Sequence, residues 1–450
     1  MPGSTTCRRE PSSSWASALD ASRRSATLFV AHDVAVRTAD RARLRQCLPL
    51  ARRQTRYPES VDWNPYGLAE GNAGVAVMCS YVDRCLPGEG WDAVAHGFLA
   101  EGVTAVESSG PMHPGLLSGL SGFAFALESL SRDGNRYQRL LTAVDEMLAP
   151  EASAAVAGLG TGPPGLPVSA FDLVSGASGV AACLLGHDPQ GVLPGILAAL
   201  VRLAEPTDGM PRWATPPEFL TSASMRRHYP SGNLNCGLAH GIPGPLALLS
   251  LALRAGYEVP GQAEAVSALA HWLVSHGVDD AWGVGWPDAV PLTPAGRPAP
   301  RTEPAATRSA WCYGSPGVAR SLWLAGEALD DEGLRRMAVK GMTSVLRRPV
   351  ALRYINSPTF CHGIAGLLHI VLRFAHDTAL DCFVDASTDL VDQLLAAYEP
   401  DRAFGYASLE AEDVAVDRAG LLNGASGVAM ALLAAATGVE PGWDRMFLLS

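Results

Sequence analysis

Two cysteines and two histidines occupy matching places in a chain that repeats itself. Cys312 opens Cys-Tyr-Gly and Cys361 opens Cys-His-Gly, so each thiol lies two residues before a glycine. His362 and His240 each lie one residue before theirs. Two thiolates and one imidazole are a ligand set for tetrahedral zinc that leaves a fourth position open, the pattern of a catalytic site. Soft sulfur donors favour zinc over magnesium or calcium. The two thiolates cancel the charge of the ion, and a third thiol arriving there loses its proton. The residues therefore predict one zinc per chain on Cys312, Cys361 and His362, activating a substrate thiol. Cys236, four residues before His240, is a rival ligand outside this register, and His369 reads as a core residue.

A thiolate needs an electrophile, and the carbanion or enolate that follows needs a proton. An imidazole suits that shuttle, and His240 supplies one. Asp172 lies four residues before Gly176, where four other copies of the repeat carry glycine (Gly67, Gly115, Gly237 and Gly420). It reads either as the carboxylate that orients His240 or as a turn residue. Arg308, four residues before Cys312, reads as a cation for the enolate or as half of an ion pair. Tyr313, beside Cys312, reads as a hydrogen-bond donor to the reacting group or as packing.

The elements that must position these residues are legible as a repeat. Gly-x-x-Gly followed by an apolar run occurs seven times, at Gly71/Gly74, Gly119/Gly122, Gly176/Gly179, Gly241/Gly244, Gly314/Gly317, Gly363/Gly366 and Gly424/Gly427. Successive first glycines are 48, 57, 65, 73, 49 and 61 residues apart, which leaves room for two helices and two loops per unit. Each Ala/Leu/Val-rich run suits a buried helix, and stretches such as 264–276 and 385–398 suit helices with one wet face. Alternating strand signals are few. The expectation is an all-α chain of seven helix pairs, an apolar inner ring and an amphipathic outer one. The last glycine pair lies close to an apolar C-terminal stretch, Met446–Ser450, which favours closure over an open solenoid with polar caps. Pro-rich stretches at 205–232 and 286–304 are expected to drape over the mouth that the turns line, as a lid for a peptide.

Composition bounds the function. Of 450 residues 48% are apolar and 18% charged, enough for a large core, and no uninterrupted apolar run is long enough to cross a membrane. The net charge of −11 argues against nucleic acid as a partner. Residues 1–60 hold eleven arginines against five acids, a net of +6, and leave −17 on the other 390. They are expected to form a basic helical extension, one helix from about residue 18 to residue 48, on or before a domain at 61–450. Its arginine face is either solvated or a dock for an acidic partner or peptide. Nine widely spaced cysteines, an odd number, fit a reducing cytoplasm better than a disulfide framework.

RSAWCYGSPG, SPTFCHGIAG and NCGLAHGIPG resemble the three signature motifs of the lanthionine synthetase C-like family, the lantibiotic cyclases, over residues 62 to 440. The resemblance implies an α/α toroid, a double seven-helix barrel. It implies zinc on Cys312, Cys361 and His362, an acid/base role for His240, and active-site places for Asp172, Arg308 and Tyr313. The implied activity is addition of a peptide Cys thiol to dehydroalanine or dehydrobutyrine, making a thioether ring, in the carbon–sulfur lyase class. The implied partners are a dehydrated precursor peptide, with a dehydratase and an exporter as companions that could hold the enzyme at the membrane periphery. Two other readings are addition of a small thiol such as glutathione to dehydrated proteins, and a non-catalytic zinc scaffold that binds peptides. The four non-ligand residues favour catalysis, since a scaffold needs only the three ligands.

Overall fold

Each of the seven Gly-x-x-Gly copies opens a helix. The computed structural model describes residues 14–110, 112–132, 134–162, 164–205, 207, 210–299 and 308–450; Cys7, Pro300 and Pro304, and the first 13 residues of the basic extension, lie outside them. Two helices, α1 (Ala21–Thr38) and α2 (Arg41–Gln54), precede the repeats. Six pairs follow in chain order: α3 (Asn72–Cys85) with α4 (Trp91–Ser108), α5 (Leu120–Ser129) with α6 (Gln138–Val156), α7 (Ala177–Leu184) with α8 (Leu193–Leu203), then, after the short α9 (Ala223–His228), α10 (Pro243–Arg254) with α11 (Gln262–Ser275), α12 (Ser315–Ala328) with α13 (Glu332–Arg347), and α14 (Ile364–Thr378) with α15 (Asp381–Ala396). The seventh copy opens α16 (Ala425–Ala436).

The first helix of a pair is buried on nearly every side; α7 and α16 are buried along their whole length. The second helix buries one stripe: in α13 it is Leu334, Ala338, Gly341, Met342 and Val345, at helical spacing. The second glycine of the motif is there because backbones meet. A Cβ on Gly179 would lie 2.1 Å from the Leu173 carbonyl oxygen and 2.9 Å from Leu116 of the preceding copy, and one on Gly317 would lie 2.6 Å from the Trp311 oxygen and 2.8 Å from Leu238.

Two compact units divide the chain, one from residues 1–109 and 355–443 and the other from 110–354 and 444–450. Within each, neighbouring repeat turns are tied by backbone hydrogen bonds at the position two before the first glycine. In the second unit Leu117 donates to Val174 (3.2 Å), Leu173 to Ala239 (3.1 Å) and Ala239 to Cys312 (3.3 Å). In the first, Cys361 donates to Leu422 (2.9 Å) and Leu421 to Ala69 (2.8 Å), so the last copy is bonded directly to the first. Each such bond contributes about 1 kcal/mol net, and an unpaired buried amide costs about 1–3 kcal/mol, so the turns hold one register.

The N-terminal segment departs from the expected single helix. It breaks at Ala39, because Asp40 caps a new helix by accepting from the Ala42 and Arg43 amides. The same segment supplies a packing partner for α16. The stripe of Thr27, Val30, Ala31, Val34, Ala35 and Thr38 is buried, and α1 packs chiefly on α16. Trp15 Nε1 donates to the Ala434 carbonyl at 2.8 Å and Ser17 Oγ to Ala435 at 2.7 Å.

Strands are few, as expected: β1 (Asn233–Asn235) pairs antiparallel with β4 (Ala289–Pro291), β2 (Val278–Asp280) with β3 (Gly283–Gly285), and β5 (Ser408–Leu409) with β6 (Ala415–Val416). Asn233 stands opposite Pro291 and Asn235 opposite Ala289. Both Pro-rich stretches are anchored through them. Thr215 bridges Asn233, Trp213 meets Trp272 edge-on at 4.7 Å, and Trp286 Nε1 donates to Leu273 O at 2.7 Å. The apolar C-terminal residues Met446–Leu449 are buried, and the Arg320 guanidinium donates to Leu449 O at 2.6 and 2.8 Å.

Candidate metal centre and catalytic residues

In the 110–354 unit, Asp172 and His240 form a hydrogen-bonded pair. Asp172 is buried, and its two oxygens divide the work. Oδ1 accepts the backbone amides of Ser175 and Gly176, both at 2.8 Å, closing the turn that starts α7. Oδ2 meets Nδ1 of His240 at 2.7 Å. The carboxylate of Asp172 thus closes its turn and pairs with His240 at once. A carboxylate at Nδ1 places a proton there and leaves Nε2 to accept or deliver another. The His240 side chain is half-buried and reachable.

Tyr313 lies beside this pair, with its ring centroid 6.1 Å from that of His240. Burial pushes its phenol well above the ordinary tyrosine range, with a smaller opposing effect from Asn235, so the hydroxyl keeps its proton at neutral pH. Its oxygen accepts from Asn235 Nδ2 at 3.0 Å. The ring lies on Gly237, where a Cβ would stand 2.7 Å from both Cδ1 and Cε1. Asn235 is a site neighbour that the motif register does not single out, because it lies six residues before Gly241, outside the repeated positions.

Cys312 is buried at the turn into α12, and its carbonyl accepts the Ala239 amide at 3.3 Å, one residue from His240. The following Gly314 has φ of +100°, and a Cβ there would lie 1.6 Å from the Arg308 oxygen, so only glycine fits this turn. Arg308 is exposed, and no ion pair or hydrogen bond of its side chain is found among the described residues. In the other unit, Cys361 and His362 are half-buried at the turn into α14, at the register positions that Cys312 and Tyr313 occupy before α12.

Cys312 of one unit, and Cys361 with His362 of the other, are residue types that ligate metal. The chemistry of the set fits zinc: two sulfurs and one imidazole, soft to borderline, with no oxygen ligand. Cys79, Cys183 and Cys236 are buried core residues. Burial pushes the Cys79 and Cys183 thiols up, and buried Cys236 points its sulfur at Leu234 O, 3.5 Å away. His369 is buried in α14 with its ring 4.4 Å from that of Trp443. Where the register carries Glu70 and Asn423, the two tie to each other. Glu70 accepts the Asn423 amide at 3.3 Å and pairs with Arg418 at 3.4 Å, both within the first unit.

Residues 62–448 match the family described as lanthionine synthetase C-like protein. The nisin biosynthesis protein NisC of Lactococcus lactis subsp. lactis is 23% identical over 356 residues, covering 77% of this chain and 84% of that protein. The solved structure of a nisin cyclase superposes with a TM-score of 0.72 at 22% identity, covering 86% of this chain and 93% of the other. That likeness shows the fold: the all-α, α/α toroid class expected from the seven glycine pairs. No described helix is long and apolar enough to cross a membrane.

Proposed function

The chain belongs to the lanthionine synthetase C-like family, and from that premise we propose that it is a zinc-dependent cyclase closing thioether rings in a dehydrated precursor peptide. The observation that carries the reading is the Ala239–Cys312 backbone bond, which sets the Asp172-oriented His240 in the turn next to a proposed ligand cysteine. Zinc on Cys312, Cys361 and His362 would keep a substrate Cys thiol ionised at neutral pH, because coordination lowers a thiol pKa.

The chain's residues account for the rest. The peptide thiolate attacks Cβ of a dehydroalanine or dehydrobutyrine. A C–S bond forms, and the Cα=Cβ pair moves into the carbonyl as an enolate. Tyr313, held neutral by burial, donates to the enolate oxygen. Arg308 adds positive charge on the exposed side. His240 accepts the proton that the thiol gives up and returns it through Nε2 to Cα, which restores the carbonyl. The sum is addition of S–H across C=C, the reverse of a carbon–sulfur lyase reaction. Asp172 keeps the imidazole in the tautomer and orientation that the transfer needs.

The substrate arrives already dehydrated, so a dehydratase must act first, and an exporter would follow. Two ligand thiols and a substrate thiol suit a reducing cytoplasm. The reading is tested by the metal content of the purified protein together with loss of alkylatable thiol on a dehydrated Cys-containing peptide. Ring closure leaves the peptide mass unchanged, so persistence of the thiol in the presence of zinc-loaded protein would reject it.

A further inference from the structure

We propose that Asn235 is a positioning residue for ring closure, acting through Tyr313 by fixing which way its hydroxyl donates. The inference rests on the reading of function given above and names a residue that reading does not use. Asn235 ends β1, is buried, and is held at both backbone and side chain. Its carbonyl accepts the Ile242 amide at 3.1 Å, at the start of α10. Its Oδ1 accepts the Gly237 amide at 2.9 Å. A backbone N–H can only donate, so the oxygen of the amide is fixed on that side and Nδ2 must face the other. What it faces is the hydroxyl of Tyr313, at 3.0 Å.

A phenol has one proton. With its oxygen receiving the Asn235 N–H, that proton is free to point elsewhere than at Asn235, and the same hydrogen bond makes the phenol a better donor. Gly237 meanwhile fixes the ring plane, because nothing larger fits against it. The arrangement orders the hydroxyl before substrate arrives, which is what a donor to a developing enolate requires.

Aspartate has the same shape but can only accept when ionised. In Asn235→Asp the Gly237 bond survives, but the Tyr313 proton turns to the new carboxylate and away from the peptide. The test compares ring closure by wild type, Asn235→Asp, Tyr313→Phe and the double variant, with zinc content measured on each. The expected result for Asn235→Asp is a fall in kcat of about 10–100-fold, somewhat less than removal of a whole donor. KM and zinc content should stay close to wild type, and the double variant should be no slower than Tyr313→Phe. Asn235→Ser, which keeps an acceptor near Gly237 but has no N–H for Tyr313, should fall similarly. Wild-type kcat in either variant, or a double variant slower than Tyr313→Phe by the full factor of Asn235→Asp, overturns the proposal. So does failure of both variants to fold, which would assign Asn235 to the scaffold alone. Wild-type protein that leaves the peptide thiol untouched would remove the functional reading itself, and this inference with it.

Discussion

Asp172 reaches His240 with one oxygen, at 2.7 Å, and uses the other to close its own turn. The two tasks separate by substitution. Asp172→Asn keeps an oxygen for the Ser175 and Gly176 amides but presents an N–H to Nδ1, forcing the neutral imidazole proton onto Nε2. Ring closure should fall by about 10²–10⁴-fold with the melting temperature nearly unchanged, since the loss is that of acid/base function. Asp172→Ala should lose the activity and also about 1–3 kcal/mol of stability, because two buried amides lose their acceptor. Equal stability of the two variants in urea would show that the turn does not depend on Oδ1.

Metal ligation and proton transfer should likewise come apart. Cys312→Ala and Cys361→Ala are each expected to lose bound zinc, read by elemental analysis. His240→Ala should keep a full complement and still lose about 10²–10⁴-fold in ring closure. Zinc-free His240→Ala protein would move that histidine from the acid/base role to the metal.

A pH effect follows from Glu70. Burial raises its carboxyl above the ordinary glutamate range, and Arg418 only partly opposes it. The folded chain therefore holds a proton that the unfolded chain has released, and stability falls as pH rises from the ordinary glutamate value through the raised one. Glu70→Gln cannot ionise and should flatten that decline. Melting temperatures of both proteins from about pH 4 to about pH 8 test this; parallel curves would show that folding does not raise the Glu70 pKa.

Trp15→Ala should destabilise the 1–109/355–443 unit by about 3–5 kcal/mol, the usual cost of emptying a buried aromatic site. The indole is buried, donates to Ala434 and lies 5.2 Å from the His376 ring. Denaturant unfolding gives the number directly, and a cost below 1 kcal/mol would mean that α1 is not held on α16 through this contact.

The glycine pairs made the helix starts legible because a close backbone approach tolerates no other residue, and that constraint repeats at each copy. The thiols and imidazoles stood out by sitting at two adjacent register positions of that repeat. What could not be read depends on contacts distant in the chain. Asn235 matters through Tyr313, 78 positions away, and Glu70 through Arg418. The arginine-rich pattern runs on unbroken past Ala39 and hides the break there, although Asp40 is an ordinary cap signal. Charge is what stands out in the basic stretch, while its structural work is done by the uncharged stripe of α1.

That stripe has a consequence for biogenesis. Trp15 and its acceptor Ala434 are 419 positions apart. During synthesis α1 emerges hundreds of residues before the surface it covers, a separation of 419 positions at this contact. Its apolar side must stay uncommitted over that interval, which invites chaperone holding and slows final consolidation. Delivering residues 14–54 in trans to a chain lacking them should restore folding, since the clasp is made by association and not by chain order.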